Sequence, residues 1–336
     1  TRLCYCDSVL HPLPASLAAA LGAAPTAFYG NYLSTFSFSD DQPVWRATWD
    51  GAPPATGSTF PPNWSLVRGA PDGTGASAPQ VLVAPGQQFA NLPNPVASST
   101  SIRAYGFTSV GVARAGDNHI VEVFMTRTGS VTANNDSALV RNGEGLVLAG
   151  TLVQERNLIP EAIGGLPGED YRAFKAAHAS ASGDYGFRVQ AFRPGPTFNE
   201  LLLVNGEVAL REGDVLHFEG TSFTLGGGNL DYELQFNSDG DWVTNWNTAG
   251  GQDVIIVNGA IVAASGVTPV DSTGDGNGDT WFGLTAIVID RLAITDRRDD
   301  GSFQVLFQAF GTGATAARQG IYAVTVDRIF ADGFEP

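Results

Sequence analysis

Three segments of the chain repeat one pattern, in which short apolar runs flank an Asn-Gly pair and a second glycine follows eight residues after the asparagine. The segments are LVRNGEGLVLAG (139–150), LLVNGEVALREG (202–213) and IIVNGAIVAASG (255–266). Asn and Gly both tolerate the positive φ of a type I′ turn, so Asn-Gly between aliphatic runs is a strong hairpin signal. The pattern predicts a β-hairpin at each copy.

The chain can be divided into five units, and each has an upstream hairpin with an acidic or Gly-rich turn and then a second strand. These second strands read PVWRATW, HIVEVFM, YGFRVQAF, DWVTNW and FQVLFQAF along the chain. The closing glycines of the three copies, and of a looser copy that ends at Gly86, lie 64, 63 and 53 residues apart. Repeats of this period are typical of β-propeller blades, and Pro and Gly are too frequent for a helical bundle.

We therefore predict an all-β fold, a β-propeller of five four-stranded blades in one domain. The predicted blades are 36–91, 92–160, 161–218, 219–268 and 269–330, followed by a tail at 331–336. The fifth unit has three strands and no Asn-Gly turn. The alternating segment 1–12 is predicted to supply the missing outer strand and to close the ring, because closure leaves only short, protected edges.

Between that strand and the first blade, residues 13–35 are predicted to hold a short helix, Leu13 to Ala24, and a linker. The irregular stretch 58–79 leaves room for another strand pair. Six blades therefore remain an alternative to five.

The composition excludes one class of partner. The chain has 18 Lys and Arg against 34 Asp and Glu, a net charge of −16. Nucleic acids and anionic membrane surfaces require clustered cations, so we expect no binding to either. The sequence also lacks a run of about 18 apolar residues, which predicts no membrane span.

The first residues bear on the cellular compartment. The chain begins at Thr1 without Met, as a secreted protein does after its signal peptide is removed. Cys4 and Cys6 would lie on one face of a strand, where a bridge between them is strained. The two cysteines are therefore small core residues, an unusual local bridge or partners in an intermolecular disulfide, and the sequence leaves these alternatives open. No CxxC or HxH spacing supports a zinc site.

The repeat resembles those of bacterial secreted tandem-repeat β-propeller-like proteins. The resemblance rests on the acidic or Gly turn, the strand after it, ALVRNG or LLLVNG, and the closing VLAG or LREG, over residues 36–326. The tail VDRIFADGFEP (326–336) is similar to a D-x-I-F-A-D-G-F-E signature near the C-terminus of many secreted gammaproteobacterial proteins. The resemblance implies an extracellular bacterial setting and leaves the ligand open.

The sharpest candidate for site chemistry is the segment DSTGDGNGDTWF (271–282). Oxygen-bearing side chains occupy alternating positions, as in EF-hand and dockerin-like loops that wrap Ca²⁺: Asp271, Thr273, Asp275, Asn277 and Asp279. Gly276 has the place of the EF-hand turn glycine, but Phe282 stands where an EF-hand has its bidentate Glu. We expect Ca²⁺ to order this loop, the alternative being a solvated connection between blades.

Tryptophans form the second candidate site. Trp242 and Trp246 are four residues apart, as are Trp45 and Trp49, so each pair shares one face of a strand. Such rings fill the space between blades, or stack on sugars when they are exposed. Trp281 is the best ligand contact because it adjoins the acidic loop, with Trp242 and Trp246 as further candidates.

Signatures of catalysis are missing from the sequence, which has no HExxH, GxSxG or phosphate-loop motif. The four histidines fall in unrelated segments: His11, His119, His178 and His217. Carboxylates paired in space would not show in the sequence, and Asp231 and Glu233 are the candidates for glycosidic cleavage.

The expected function is therefore non-catalytic binding of a glycan, a surface polymer or a protein. The first alternative is an extracellular glycoside hydrolase or lyase that uses carboxylates at the channel mouth. The second is structural self-assembly, in which the N-terminal strand is donated to a neighbour's fifth blade to give a homo-oligomer.

Overall fold

The computed structural model shows an all-β protein whose chain forms two compact units, Thr1–Asn157 and Leu158–Pro336. It describes residues 15–20, 23, 28–29, 34–39, 42–50, 63–69, 78–97, 110–112, 116–193, 198–227, 233–271, 278, 280–283, 292–312 and 318–327. The predicted N-terminal closing strand, with Cys4 and Cys6, lies outside these residues. Among them, no helix has the length and apolar character needed to cross a membrane.

The first unit holds one short helix and eleven strands among the described residues. They are α1 (Ala15–Ala20), β1 (Phe28–Tyr29), β2 (Ser34–Ser39), β3 (Gln42–Asp50), β4 (Asn63–Arg68), β5 (Gln80–Val83), β6 (Val110–Val112), β7 (His119–Phe124), β8 (Ser137–Arg141), β9 (Glu144–Gly145), β10 (Val147–Leu148) and β11 (Thr151–Leu152). The predicted short helix is confirmed over Ala15–Ala20 as α1, whereas Ala23, inside the predicted range, is not helical. Leu17 and Ala18 of α1 pack against Trp45 of β3.

The described part of the second unit holds a 3₁₀ turn at Glu161–Ile163 and fifteen strands. They are β12 (Asp170–Ala179), β13 (Tyr185–Phe192), β14 (Phe198–Val204), β15 (Glu207–Arg211), β16 (Val215–Phe218), β17 (Thr221–Thr224), β18 (Leu234–Phe236), β19 (Trp242–Asn247), β20 (Asp253–Val257), β21 (Ala260–Ala264), β22 (Pro269–Val270), β23 (Thr280–Gly283), β24 (Leu292–Ile294), β25 (Phe303–Thr312) and β26 (Arg318–Val326).

Over the described residues, twenty-two strands form five antiparallel sheets of four or five strands, and the other four form two separate hairpins, β10-β11 and β16-β17. The second, third and fourth sheets follow chain order as β6-β7-β8-β9, β12-β13-β14-β15 and β18-β19-β20-β21. The first is β1-β3-β4-β5 with β2 also on β3, and the fifth is β22-β23-β25-β24 with β26 also on β25. The five predicted second strands are confirmed as β3, β7, β13, β19 and β25.

The Asn-Gly hairpins are confirmed as tight turns between the third and fourth strands of the middle sheets. The asparagines have φ of 52°, 51° and 47°, and the glycines after them have φ of 84°, 88° and 89°. Positive φ at both central positions defines the type I′ turn, whose twist matches that of the strands it joins. The predicted pattern therefore has a purely local cause.

Successive sheets pack face to face within each unit. In the first unit, Val44 and Leu66 of the first sheet share a cluster with Val121 of the second. In the second unit, Leu202 of the third sheet meets the fourth sheet, and Phe303 of the fifth meets its other side. Each pairing of neighbouring sheets thus buries an apolar layer.

The fourth sheet shows why neighbouring positions of one strand can both be apolar. Trp242 and Trp246 of β19 belong to the cluster shared with the third sheet, whereas Val243 between them belongs to the cluster shared with the fifth. Neighbouring side chains of a strand point to opposite faces. A sheet covered on both sides therefore needs apolar residues at both parities.

Candidate functional site

The acidic loop is closed at its base by a strand pair. β22 and β23 are antiparallel, with Val270 opposite Thr280 and Pro269 opposite Trp281. Residues 271–279 therefore form the connection of a hairpin, with Asp271 directly after one strand and position 279 directly before the other. The pairing brings the two ends of the predicted Ca²⁺ loop together.

Asp271 is half-buried at the start of this loop. Near its end, a Cβ built on Gly278 would lie 2.6 Å from the Cβ of Pro269, so the close approach of the two chain segments requires glycine at that position. The other predicted ligands lie outside the described residues: Thr273, Asp275, Asn277 and Asp279. Over the residues that the structure does describe, no group of three or more His, Cys, Asp or Glu side chains could hold a metal ion.

Trp281 lies on β23, two residues after the acidic loop. Its backbone pairs with Pro269 on one side and with Thr312 of β25 on the other. The predicted ligand contact is therefore anchored in the fifth sheet immediately beside the loop base.

The other two predicted ligand tryptophans lie in the protein interior. Trp246 is 0% exposed and Trp242 is 7% exposed. The indole Nε1 of Trp246 donates a hydrogen bond to the carbonyl of Gly226 at 2.8 Å. These rings fill the space between the third and fourth sheets, which is the packing role expected of paired strand tryptophans, in place of the ligand contact for which they were also candidates.

A buried arginine lies on the face of Trp246. The guanidinium carbon of Arg188 is 4.2 Å from the ring centroid, and its Nη2 donates to Oε1 of Glu200 at 2.6 Å. Its Nη1 donates to the carbonyl of Asn245 at 2.5 Å. Arg188 is 0% exposed and Glu200 2%, so this ion pair is sealed between two sheets.

The surroundings of Glu200 favour its neutral form more than those of an ordinary glutamate. Burial raises the pKa of this carboxyl, while the charge and hydrogen bond of Arg188 lower it and the nearby Glu212 raises it. The net shift is upward. Sequence reasoning missed this pair, although an arginine in the middle of the apolar strand YGFRVQAF is a visible sign of a buried partner.

Two further ion pairs fasten turns in the second unit. Arg211 donates to both carboxylate oxygens of Glu169, at 2.6 and 3.1 Å, and Arg297 donates to both oxygens of Asp241, at 2.7 and 2.8 Å. Burial raises the pKa of Asp241, but hydrogen bonds from Arg297, Asn237 and Asn258 outweigh burial and leave that pKa below its ordinary value. Both arginines therefore link segments far apart in sequence.

The histidines occupy separate places. His119 donates from Nδ1 to the carbonyl of Asp117 at 2.8 Å. Burial lowers its pKa, opposed by that hydrogen bond and assisted by the charge of Arg68. His178 is buried and accepts the backbone N–H of Phe236 at 3.1 Å, and His217 pairs with Ser222 at 3.0 Å on an exposed hairpin.

The carboxylates that the catalytic alternative would use are only partly described. Asp231 and His11 lie outside the described residues. Glu233 is half-buried; its N–H donates to Oδ1 of Asn245 at 3.0 Å and its carbonyl accepts from Thr244 at 2.7 Å. The backbone of Glu233 thus ties the start of the fourth sheet to its second strand.

Comparison with known proteins leaves the family open. The sequence matches no protein-family model and no curated protein. A protein of unknown function from Dyadobacter fermentans is 13% identical over 89% of this chain and 80% of its own, with a TM-score of 0.31. An ulvan lyase described as a new polysaccharide lyase family is 11% identical over 92% and 68%, with a TM-score of 0.30. AofleA from Arthrobotrys oligospora is 12% identical over 94% and 96%, with a TM-score of 0.27. Similarity at this level carries no argument about function.

Proposed function

We propose that this protein is a secreted bacterial binding protein that recognises a glycan, a surface polymer or another protein without catalysing a reaction, and that a Ca²⁺ ion orders the loop 271–279. The observation that supports this most is the β22–β23 pair, because it holds the ends of an oxygen-rich loop together next to Trp281.

The loop composition suits a hard cation. Ca²⁺ takes six to eight oxygen ligands in flexible geometry. Six side chains of the loop 271–279 carry oxygen; the five at alternating positions are the proposed ligands, and backbone carbonyls and water complete the shell. Because the strand pair already closes the loop, binding has less chain entropy to overcome.

The ligand surface lies beside this loop. An indole ring offers an apolar face to the C–H side of a sugar, while neighbouring carboxylates and amides hydrogen-bond to hydroxyls. Trp242 and Trp246 are enclosed between sheets. We therefore assign the contact to Trp281 and to the acidic loop that precedes it.

The five sheets are proposed to be the blades of a β-propeller. Two features support this: the middle sheets are four-stranded meanders in chain order, and neighbouring sheets of each unit pack face to face. The last strand of the fifth sheet in chain order is β26, which pairs with β25. We retain the proposal that residues 1–12 add an outer strand beside β26 and close the ring.

A glycan array read with Ca²⁺ and with EDTA tests the binding function. We expect saturable binding that EDTA abolishes and that the double variant Asp275→Asn/Asp279→Asn loses. The matched control is Asp299→Asn/Glu207→Gln, which removes two exposed carboxylates elsewhere and should bind normally. Binding that is unchanged by EDTA would exclude the Ca²⁺ part, and binding that Trp281→Ala leaves unchanged would exclude the assigned surface.

Two further measurements test the alternative functions. Release of new sugar ends during incubation would support the hydrolase or lyase in place of a binding protein. Size-exclusion chromatography of a variant without residues 1–10 tests self-assembly, because only an oligomer held by the donated strand would dissociate.

A further inference from the structure

The three Asn-Gly turns share one set of hydrogen bonds on the side-chain oxygen. In each turn, Oδ1 of the asparagine accepts the N–H of the residue that begins the second strand of its sheet. The distances are 2.8 Å from His119 to Asn142, 3.0 Å from Tyr185 to Asn205 and 3.0 Å from Trp242 to Asn258. The oxygen side of the three amides is therefore equivalent.

The nitrogen side of the amides differs between the copies. Nδ2 of Asn205 donates to a carboxylate oxygen of Asp184 at 2.8 Å, and Nδ2 of Asn258 donates to a carboxylate oxygen of Asp241 at 2.9 Å. Nδ2 of Asn142 donates instead to the amide oxygen of Asn118 at 2.9 Å. The side-chain amides of Asn205 and Asn258 thus donate to a charged carboxylate, and that of Asn142 donates to a neutral amide.

This difference matters because asparagine followed by glycine is prone to deamidation. The backbone nitrogen of the glycine gives up its proton and attacks Cγ of the asparagine; the new N–Cγ bond forms, the Cγ–Nδ2 bond breaks, and the NH₂ group takes up one proton and leaves as ammonia. Water then opens the resulting succinimide to aspartate or isoaspartate. The reaction removes the Nδ2 donor and leaves a carboxylate in its place.

The product fits the three sites unequally. At positions 205 and 258 the new carboxylate would face Asp184 or Asp241 across a former hydrogen bond, and two like charges at that distance repel, less strongly at Asp241 because Arg297 pairs with it. At position 142 it would face the amide of Asn118, which can present its NH₂ group as a donor. The starting amide is also held less firmly there, because hydrogen bonds to a carboxylate are about twice as strong as neutral ones.

We propose that Asn142 is the deamidation site of the folded protein, and that Asp184 and Asp241 protect Asn205 and Asn258 from the same modification. The three asparagines share the type I′ backbone, with φ between 47° and 52°. The selectivity therefore comes from the group that faces Nδ2.

The test ages the full chain at mildly alkaline pH and measures deamidation of the three peptides by mass spectrometry, in buffer and in urea. The ratio of folded to unfolded rate at each position removes the influence of neighbouring sequence. We expect this ratio to be highest at Asn142, by about fivefold, the factor for a difference of about 1 kcal/mol between charged and neutral acceptors. Equal ratios at the three positions, or a higher ratio at Asn205, would overturn the proposal.

Two substitutions exchange the acceptors. Asp184→Asn should raise the ratio at Asn205 to that of Asn142, and Asn118→Asp should lower the ratio at Asn142 to that of Asn205. Asn258 serves as the unchanged reference in both variants. If Asn118→Asp, a change in an exposed turn, leaves deamidation at Asn142 as it was, the facing charge is not the protecting feature.

Discussion

Replacing Arg188 by Met tests the claim that Trp246 and its charged neighbours form part of the interior. The substitution keeps the side-chain volume but leaves Glu200 at 2% exposure without its counter-ion. Removing one partner of a buried ion pair typically costs about 3–5 kcal/mol of stability. We take this range to include the loss of the contact between Arg188 and the Trp246 ring. We expect the free energy of unfolding of the second unit to drop by about this amount.

Equilibrium unfolding in urea, followed by tryptophan fluorescence, measures the loss. The control is the double variant Arg188→Met/Glu200→Met, in which both charges are gone, and its cost should stay below about 2 kcal/mol because apolar replacement of a buried pair is often neutral. The single variant should also recover stability in acid, since a protonated Glu200 needs no counter-ion. A loss below about 1 kcal/mol for Arg188→Met, or a double variant as unstable as the single one, would refute the reasoning.

Three further substitutions test other parts of the structure. Burial lowers the pKa of His119, so the stability that its neutral form contributes is complete above the ordinary histidine pKa of 6.5 and is lost as the pH falls through the folded pKa. Lowering the pH from about 7 to about 5 should therefore reduce the thermal unfolding temperature of the wild type more than that of His119→Gln. The lowered pKa of Asp241 means that the stability gained from Arg297 is present above pH 3.8 and is lost below it, so urea midpoints of the wild type and Arg297→Met should converge in acid. A Cβ on Gly165 would overlap the carbonyl of Ile159, so Gly165→Ala should lower the urea midpoint by the equivalent of about 1–3 kcal/mol; an unchanged midpoint would show that this backbone has room to shift.

Local turn chemistry made much of the strand order predictable. Asn205 and Gly206 require no distant information to form their turn, because positive φ at two successive residues suits Asn-Gly whatever the rest of the chain does. The second strands were predictable for the same reason, since each comes after a turn rich in Gly or Asp. The confirmed parts of the prediction are those whose causes lie within about ten residues.

The environment of side chains could not be predicted in the same way. The sequence pattern around a strand tryptophan is the same whether its ring contacts another sheet or a ligand. Only the packing of the third sheet on the fourth shows that Trp246 is enclosed. The Arg188 and Glu200 pair joins neighbouring strands and contacts Asn245 of the next sheet. Such contacts depend on which sheets become neighbours, and a hydrophobic pattern does not encode that.

The candidate site was predicted from the residue types and spacing of one segment alone. Oxygen side chains at alternating positions predicted the loop 271–279, and the structure adds that Val270 and Thr280 close it. Asp271 directly follows β22, and Trp281 lies on β23 of the fifth sheet.

Isothermal titration of the full chain with Ca²⁺ tests the central claim most directly, using protein first treated with EDTA and then freed of it. The account predicts one saturable site per chain that Asp275→Asn/Asp279→Asn removes and that the control Asp299→Asn/Glu207→Gln retains. The absence of binding heat, confirmed by unchanged thermal stability with and without Ca²⁺, would contradict it, as would a site that survives in the Asp275→Asn/Asp279→Asn variant.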